Sequence, residues 1–160
     1  MKMHWILLLL TCVVLGLNRT AQTESSGHLY VTGTVMEIDR CASAWLIKRY
    51  VDVDARFEFL TDEELMTTGM KSFDTPYSQL RRTHTASTFE TIQREYAVDD
   101  KKVEYLAVLI HELEINFWNK KMEKRAVQFQ VELEKLLREA GDNRTALQLC
   151  FTYLDSLAFE

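Results

Sequence analysis

The polar side chains best placed for chemistry are a histidine and a glutamate three residues apart, His111 and Glu114. The apolar residues around them recur at helical spacing and predict a helix over about 101–118, so the two side chains would be neighbours on the helix surface. An imidazole and a carboxylate at this spacing suit metal coordination or proton transfer. The alternative is a hydrogen-bonded pair that holds no ligand.

A second polar residue, Arg49, lies where the sequence pattern calls for an apolar one. It projects onto the apolar face of a predicted helix. That face carries Ala42, Trp45 and Leu46. A guanidinium facing a core is costly unless a carboxylate or an anion meets it, although a long stem can also carry the charged head out to water. We therefore predict that Arg49 lies within hydrogen-bonding distance of an acid. The candidates are Asp39, Asp74, Glu114 or another acid of the chain.

The helix that carries Arg49 is predicted to lie between two strands. Residues 35–38 begin a short β-type run, and Asp39 is a plausible N-cap because its carboxylate can accept the amide donors of the following turn. Residues 56–59 alternate between charged and aromatic side chains, which is typical of a half-buried strand.

Two capping-box patterns predict helix starts farther along the chain, at Thr61 and at Ser87, each with a glutamate three residues later. Residues 71–74 form an extended segment between them. Asp99-Asp100 can cap the helix over about 101–118, and further helices are expected over 119–140 and from Asp142 or Asn143 to the C-terminus. The order β-α-β-α-β followed by four helices predicts an α+β fold, with a small sheet of about three strands and a helical C-terminal half packed on it.

The N-terminal residues resemble a targeting segment. Residues 5–17 are mostly apolar, too short to span a bilayer comfortably but of the length of a signal-peptide core. We predict a signal peptide over residues 1–21, a polar tether over 22–32 and a single domain over 33–160. The protein is then exported, to the periplasm or the medium, and contacts a membrane only if the signal stays uncleaved.

The net charge bears on which partners the chain can bind, and the cysteines bear on its redox state. The 160-residue chain has a net charge of −5, and loss of residues 1–21 would remove two bases and no acid. An acidic surface disfavours nucleic acid as a partner. Cys41 and Cys150 would remain after cleavage, either as a disulfide or as two buried thiols.

The segment 38–57 resembles the opening of the C-terminal domain of ChrB, the chromate-resistance protein family. It reads IDRCASAWLIKRYVD and then DARF. Later landmarks agree in order with the family's. These are Phe73-Asp74, His84, Thr88-Phe-Glu90 and Ile110-His-Glu-Leu-Glu114. Regulators of that family carry an upstream DNA-binding region, whereas a signal peptide takes that place here. The resemblance therefore implies a stand-alone exported version.

The resemblance also singles out two sets of site residues. The first is a metal site made of His84, His111 and Glu114, with Asp74 or Glu90 as further ligands, and such a set would suit divalent Zn, Fe or Mn. The second is an oxyanion contact made by Arg40 and Arg49, because guanidinium forks fit tetrahedral oxygens.

Three functions are compatible with these residues. The first is an exported domain that binds or senses a metal ion or metal oxyanion in chromate resistance. The second is a metal-dependent enzyme that uses the same site, although the sequence contains no nucleophile motif, phosphate loop or cofactor fingerprint. The third is a structural domain that binds a protein partner, through the charged segment 119–140 for example.

Overall fold

A computed structural model describes residues 28–116 and 124–159. The predicted signal peptide and residues 22–27 of the predicted tether lie outside the described residues. The strands are β1 (Leu29–Gly33), β2 (Arg56–Leu60) and β3 (Lys71–Ser72). The helices are α1 (Ile38–Leu46), α2 (Asp62–Thr67), α3 (Thr88–Glu95), α4 (Lys101–Glu114), α5 (Lys124–Glu139) and α6 (Asn143–Ser156), and a π-helical segment (Ile47–Val51) continues α1.

The sheet is parallel and its strand order is β2-β1-β3. Leu29 pairs with Arg56 at the start of β1 and Gly33 with Leu60 at its end, while β3 pairs with Tyr30 and Val31 on the other side. In the described part of the chain, four helices follow β3, and the predicted α+β class and three-stranded sheet are confirmed.

The predicted position of the first strand was wrong. The strand occupies Leu29–Gly33, most of it within the segment predicted as a tether, whereas Ile38 already belongs to α1. Tyr30, Val31 and Thr32 are buried in succession. A central strand of a parallel sheet is covered on both faces, so it lacks the alternation by which half-buried strands are recognised.

The helix caps predicted from local sequence are present in the structure. The side chains of Thr61 and Ser87 each accept a hydrogen bond from the backbone amide of the glutamate three residues on. Each glutamate side chain accepts one from the backbone amide of Thr61 or Ser87, so both capping boxes are confirmed. Asp100 and Asp142 cap α4 and α6 as expected. These bonds close within a few residues, which is why local sequence predicts them.

Helix α1 lies at the centre of the molecule, and all nine of its residues are buried. It packs against α3 and α6. Residues near the start of α6 contact residues near the start of α1, and residues near its end contact the end of α1, so the two helices run roughly parallel. Asn143 Nδ2 donates to the carbonyl of Thr34 before α1, and Asp155 near the end of α6 accepts from Trp45 Nε1 at 2.7 Å. No helix among the described residues has both the length and the apolar character needed to cross a membrane.

Candidate functional site

A cleft of about 240 Å³ opens at the carboxyl ends of β1 and β3. The chain leaves β1 through α1 toward β2, while β3 lies on the opposite side of β1. In open α/β sheets, the crevice where connections diverge in this way is the usual ligand site. The cleft is lined by Glu37, Arg40, Asp74, Thr75, Pro76, Arg81 and Arg82.

Arg40 forms the inner wall of this cleft. Its Nε lies 2.9 Å from Asp74 Oδ2 in a largely buried ion pair. Its Nη2 donates to the carbonyl of Asp74 at 2.7 Å, and its Nη1 donates to the carbonyl of Val35. A Cβ atom at Gly33 would lie 3.2–3.3 Å from the guanidinium, so the glycine at the end of β1 makes room for the arginine.

Asp74 joins this arginine to α3. Its Oδ1 accepts a hydrogen bond from Thr88 Oγ1 at 2.6 Å, and its backbone φ of 51° lies in the left-handed region that aspartate tolerates better than most residues. Burial raises the pKa of Asp74, against the lowering effects of the Thr88 hydrogen bond and the Arg40 charge.

Asp39 lies beneath the cleft and is almost completely buried. The structure corrects its predicted role as the N-cap of α1. Glu37 occupies that position and makes no side-chain capping bond, and Asp39 is the second residue of the helix. Its carboxylate instead accepts the backbone amides of Thr88 at 2.7 Å and Phe89 at 2.9 Å, so it caps α3 from a distance in the chain. Burial, with a further contribution from the charge of Asp74, raises the pKa of Asp39 to about 7, although the two amide bonds act in the opposite direction.

Glu114 and Arg82 form the outer rim. Arg82 Nη1 donates to Glu114 Oε2 at 2.9 Å, and Nη2 donates to the backbone carbonyl of Glu114. Burial raises the pKa of Glu114, while Arg82 lowers it. Glu37 and Arg82 also line an adjoining hollow of about 490 Å³ that extends to α5.

The residues of the predicted metal site are distributed among different partners. His111 Nδ1 lies 3.0 Å from both carboxylate oxygens of Glu90, whereas His84 is exposed in the loop before α3. Asp74 pairs with Arg40 and Glu114 with Arg82. Within the described ranges, no group of three or more His, Cys, Asp or Glu residues is arranged to hold a metal ion. The joint site stays a prediction.

Comparison of the sequence with known proteins identifies the family of this chain. The profile of the ChrB C-terminal domain matches residues 30–159. The chain belongs to the ChrB C-terminal domain family. Protein ChrB of Cupriavidus metallidurans is 29% identical over 98 residues, which cover 61% of this chain and 30% of that protein. The chain therefore spans about a third of the length of that relative. No solved structure gives a significant match.

The fold joins several ChrB-like landmarks that lie far apart in the sequence. Asp39 accepts the amides of Thr88 and Phe89, Arg40 pairs with Asp74, and Glu90 contacts His111. Four separate segments of the chain are thus linked by polar contacts, three of them through Asp39 and Arg40 at the start of α1. Of these residues, Arg40 and Asp74 line the cleft.

Arg49, the second predicted oxyanion contact, lies at a different place in this ChrB-like domain. The prediction that an acid meets it is confirmed. Its Nε and Nη2 donate to the two carboxylate oxygens of Asp155 at 3.1 and 2.7 Å, and the guanidinium lies over the ring of Phe151. This bidentate pair ties the π-helical segment to α6 and holds the pKa of Asp155 below its usual value.

Two cleft residues, Arg81 and Arg82, were missed by sequence reasoning. They belong to a polar, irregular segment with no periodic pattern. A pair of adjacent arginines was the available signal, but its position at the cleft depends on the loop between β3 and α3. Arg81 is held there by hydrogen bonds from Nη1 to the carbonyls of Pro76 and Ser78.

Proposed function

We propose that this domain is an exported module that binds a small tetrahedral oxyanion of the chromate class in the cleft at the carboxyl ends of β1 and β3. We propose further that this binding contributes to chromate resistance. Membership of the ChrB C-terminal domain family supports the association with chromate resistance. The export half of the proposal depends on the predicted signal peptide. The observation that carries the oxyanion half is the convergence of three arginines on one cleft.

The charge of the cleft favours an anion. Arg40 and Arg82 are paired with Asp74 and Glu114, whereas Arg81 donates its side-chain hydrogen bonds to backbone carbonyls and keeps its positive charge in the cleft, on a chain whose overall charge is −5. Asp74 is already neutralised by Arg40. Both side-chain hydrogen bonds of Arg81 leave from Nη1, so the rest of that guanidinium fork retains donors for a ligand.

Helix α1 adds a second favourable element. Its N-terminus follows β1 directly into the cleft, and the N-cap residue Glu37 makes no capping hydrogen bond with its side chain. First-turn amides carry partial positive charge and commonly bind anions. An oxyanion between these amides and Arg81 would be met by donors from two sides.

The test is a titration of the full chain with chromate, and with sulfate, molybdate and phosphate for comparison, followed by isothermal calorimetry. We expect saturable binding of chromate that weakens at least tenfold in the Arg81→Ala, Arg82→Ala double variant, because each charged hydrogen bond contributes about 1.5–3 kcal/mol. Arg94→Ala is the matched control, since Arg94 is an exposed arginine of α3 outside this cleft.

Unchanged affinity in the double variant would reject the cleft as the site, and absence of binding for all four anions would reject the oxyanion function. Circular dichroism of both variants verifies that they fold, since loss of the Arg82–Glu114 bonds at the rim is expected to be tolerated.

A metal ion is the second candidate ligand, and the contact between His111 and Glu90 favours it. We propose that this pair starts a site that His84 completes when a divalent Zn, Fe or Mn ion binds. Elemental analysis by mass spectrometry after incubation with each ion is expected to show about one equivalent, lost in the His84→Ala, His111→Ala double variant. His28→Ala is the control, because His28 pairs with Asp52. Equal metal content in all three proteins would remove this candidate.

A further inference from the structure

The two cysteines of the described domain lie on opposite sides of one helix–helix contact. Cys41 is in the first turns of α1 and Cys150 is in the middle of α6, and neither has any exposed surface. Both are free thiols in this structure. Cys41 Sγ lies 3.9 Å from the carbonyl oxygen of Ala146, which is one helical turn before Cys150. The first thiol therefore lies over the turn that carries the second.

The packing of α1 against α6 fixes the positions of the two thiols. Burial, with a further contribution from the neighbouring Cys41 thiol, raises the pKa of the Cys150 thiol well above its usual value. The helices that carry them run roughly parallel and are joined at both ends. Asn143 bonds to Thr34 at one end, and Asp155 bonds to Arg49 at the other. The position of Cys41 over the turn of α6 that carries Cys150 is thus set by the packing of these two helices.

We propose that Cys41 and Cys150 form a disulfide when the chain folds in an oxidising environment, covalently tying α1 to α6. One thiolate attacks the disulfide of a thiol–disulfide oxidant and forms a mixed disulfide. The second thiolate then displaces the oxidant's sulfur, so that one S–S bond forms in the protein, two protons leave and the oxidant is reduced to its dithiol. Oxyanion binding is not required for any part of this proposal.

The burial of both sulfurs fixes when this reaction can take place. Neither thiol is accessible once α6 is docked, so exchange occurs while α6 is still open. After docking, the same burial shields the bond from reductants. Because the bond would close a loop of more than a hundred residues, it restricts the unfolded chain strongly and raises the thermal stability.

The test uses the full chain with Cys12→Ala, which removes the third cysteine of the sequence. The reduced, denatured protein is refolded in a buffer of oxidised and reduced glutathione, and its intact mass and non-reduced peptide map are measured. We expect a mass about 2 Da lower than that of the reduced protein, and a peptide pair that links Cys41 to Cys150. We also expect a Tm about 10 °C above that of the same sample folded with dithiothreitol.

Cys41→Ala and Cys150→Ala in the same background are the matched controls, and neither is expected to show a Tm that depends on dithiothreitol. Two titratable thiols in the protein refolded in glutathione buffer, with native circular dichroism, would overturn the proposal and identify the pair as inert buried thiols. The mass measurement needs no cysteine variant at positions 41 or 150 to fold, so it decides the question by itself.

Discussion

Replacing Arg40 with methionine is expected to lower the free energy of unfolding by about 3–5 kcal/mol, because removal of one partner of a buried ion pair leaves the other charge uncompensated. Asp74 would lose its counter-ion, and the carbonyls of Val35 and Asp74 would lose their donors. Urea denaturation followed by tryptophan fluorescence measures the loss. A loss below about 1 kcal/mol, the typical value for a substitution without a special mechanism, would contradict the role assigned to Arg40.

A second substitution at the partner position sharpens this result. Asp74→Asn removes the charge and retains a residue type that tolerates the φ of 51°. In the Arg40→Met, Asp74→Asn double variant no buried charge is left unpaired, so we expect it to lose less stability than the sum of the single variants. Arg144→Ala, at an exposed arginine of α6, is the control and is expected to change stability by less than about 0.5 kcal/mol.

The contribution of Asp39 to the stability of the domain is expected to fall as pH rises from about 4 to about 7. Its pKa is raised from 3.8 to about 7 by burial and by Asp74. The folded chain therefore binds this proton more tightly than the unfolded chain does. Between the two pKa values Asp39 is ionised in the unfolded chain and protonated in the folded chain. Its contribution to the free energy of unfolding is therefore largest at the acidic end and stops changing above about pH 7. The span is roughly 4 kcal/mol for a shift of this size.

Asp39→Asn is expected to remove this contribution to the pH dependence of the free energy of unfolding, since asparagine does not titrate. Denaturation of both proteins at intervals of half a pH unit between 4.5 and 8 measures the two slopes. Asp54→Asn, at an exposed aspartate, is expected to leave the slope of the unsubstituted protein unchanged. Equal slopes for the Asp39→Asn variant and the unsubstituted protein would show that Asp39 is ionised throughout this range, stabilised by its amide bonds to Thr88 and Phe89.

These two effects bear on the proposed oxyanion site. Arg40 and Asp39 are successive residues at the start of α1, and they connect the cleft to β3 and to α3 respectively. An anion in the cleft would lie near carboxyls whose pKa is raised, namely those of Asp74 and Glu114. Because protonation of these groups removes negative charge, we expect oxyanion affinity to increase as pH falls, in the same calorimetric titrations.

The local sequence determined the elements whose stabilising contacts close within one or two turns. The capping boxes at Thr61 and Ser87 were predicted at the right residues, and Asp100 and Asp142 were each one of two adjacent candidates, because each carboxylate or hydroxyl bonds to amides two or three positions away. The order of the elements, and with it the α+β class, follows from the same periodic and capping signals.

Tertiary structure decided the partners of the buried polar groups. The sequence predicted that Arg49 needs an acid, but Asp155 is 106 residues away and only the packing of α6 along α1 brings it there. Asp39 was expected to cap its own helix and instead caps α3, some fifty residues on. A carboxylate at a helix start satisfies whichever amides the fold presents to it, and local sequence does not encode which helix that is.

The arrangement of the cleft likewise depends on contacts between distant segments. Strand order places β3 beside β1, which brings Asp74 to Arg40 and the loop with Arg81 and Arg82 to the start of α1. The sequence by itself determined which residues carry charge and which elements carry them. Which charges face one another was decided by the register of the sheet, because a buried guanidinium or carboxylate is stable only where the fold supplies its counter-charge.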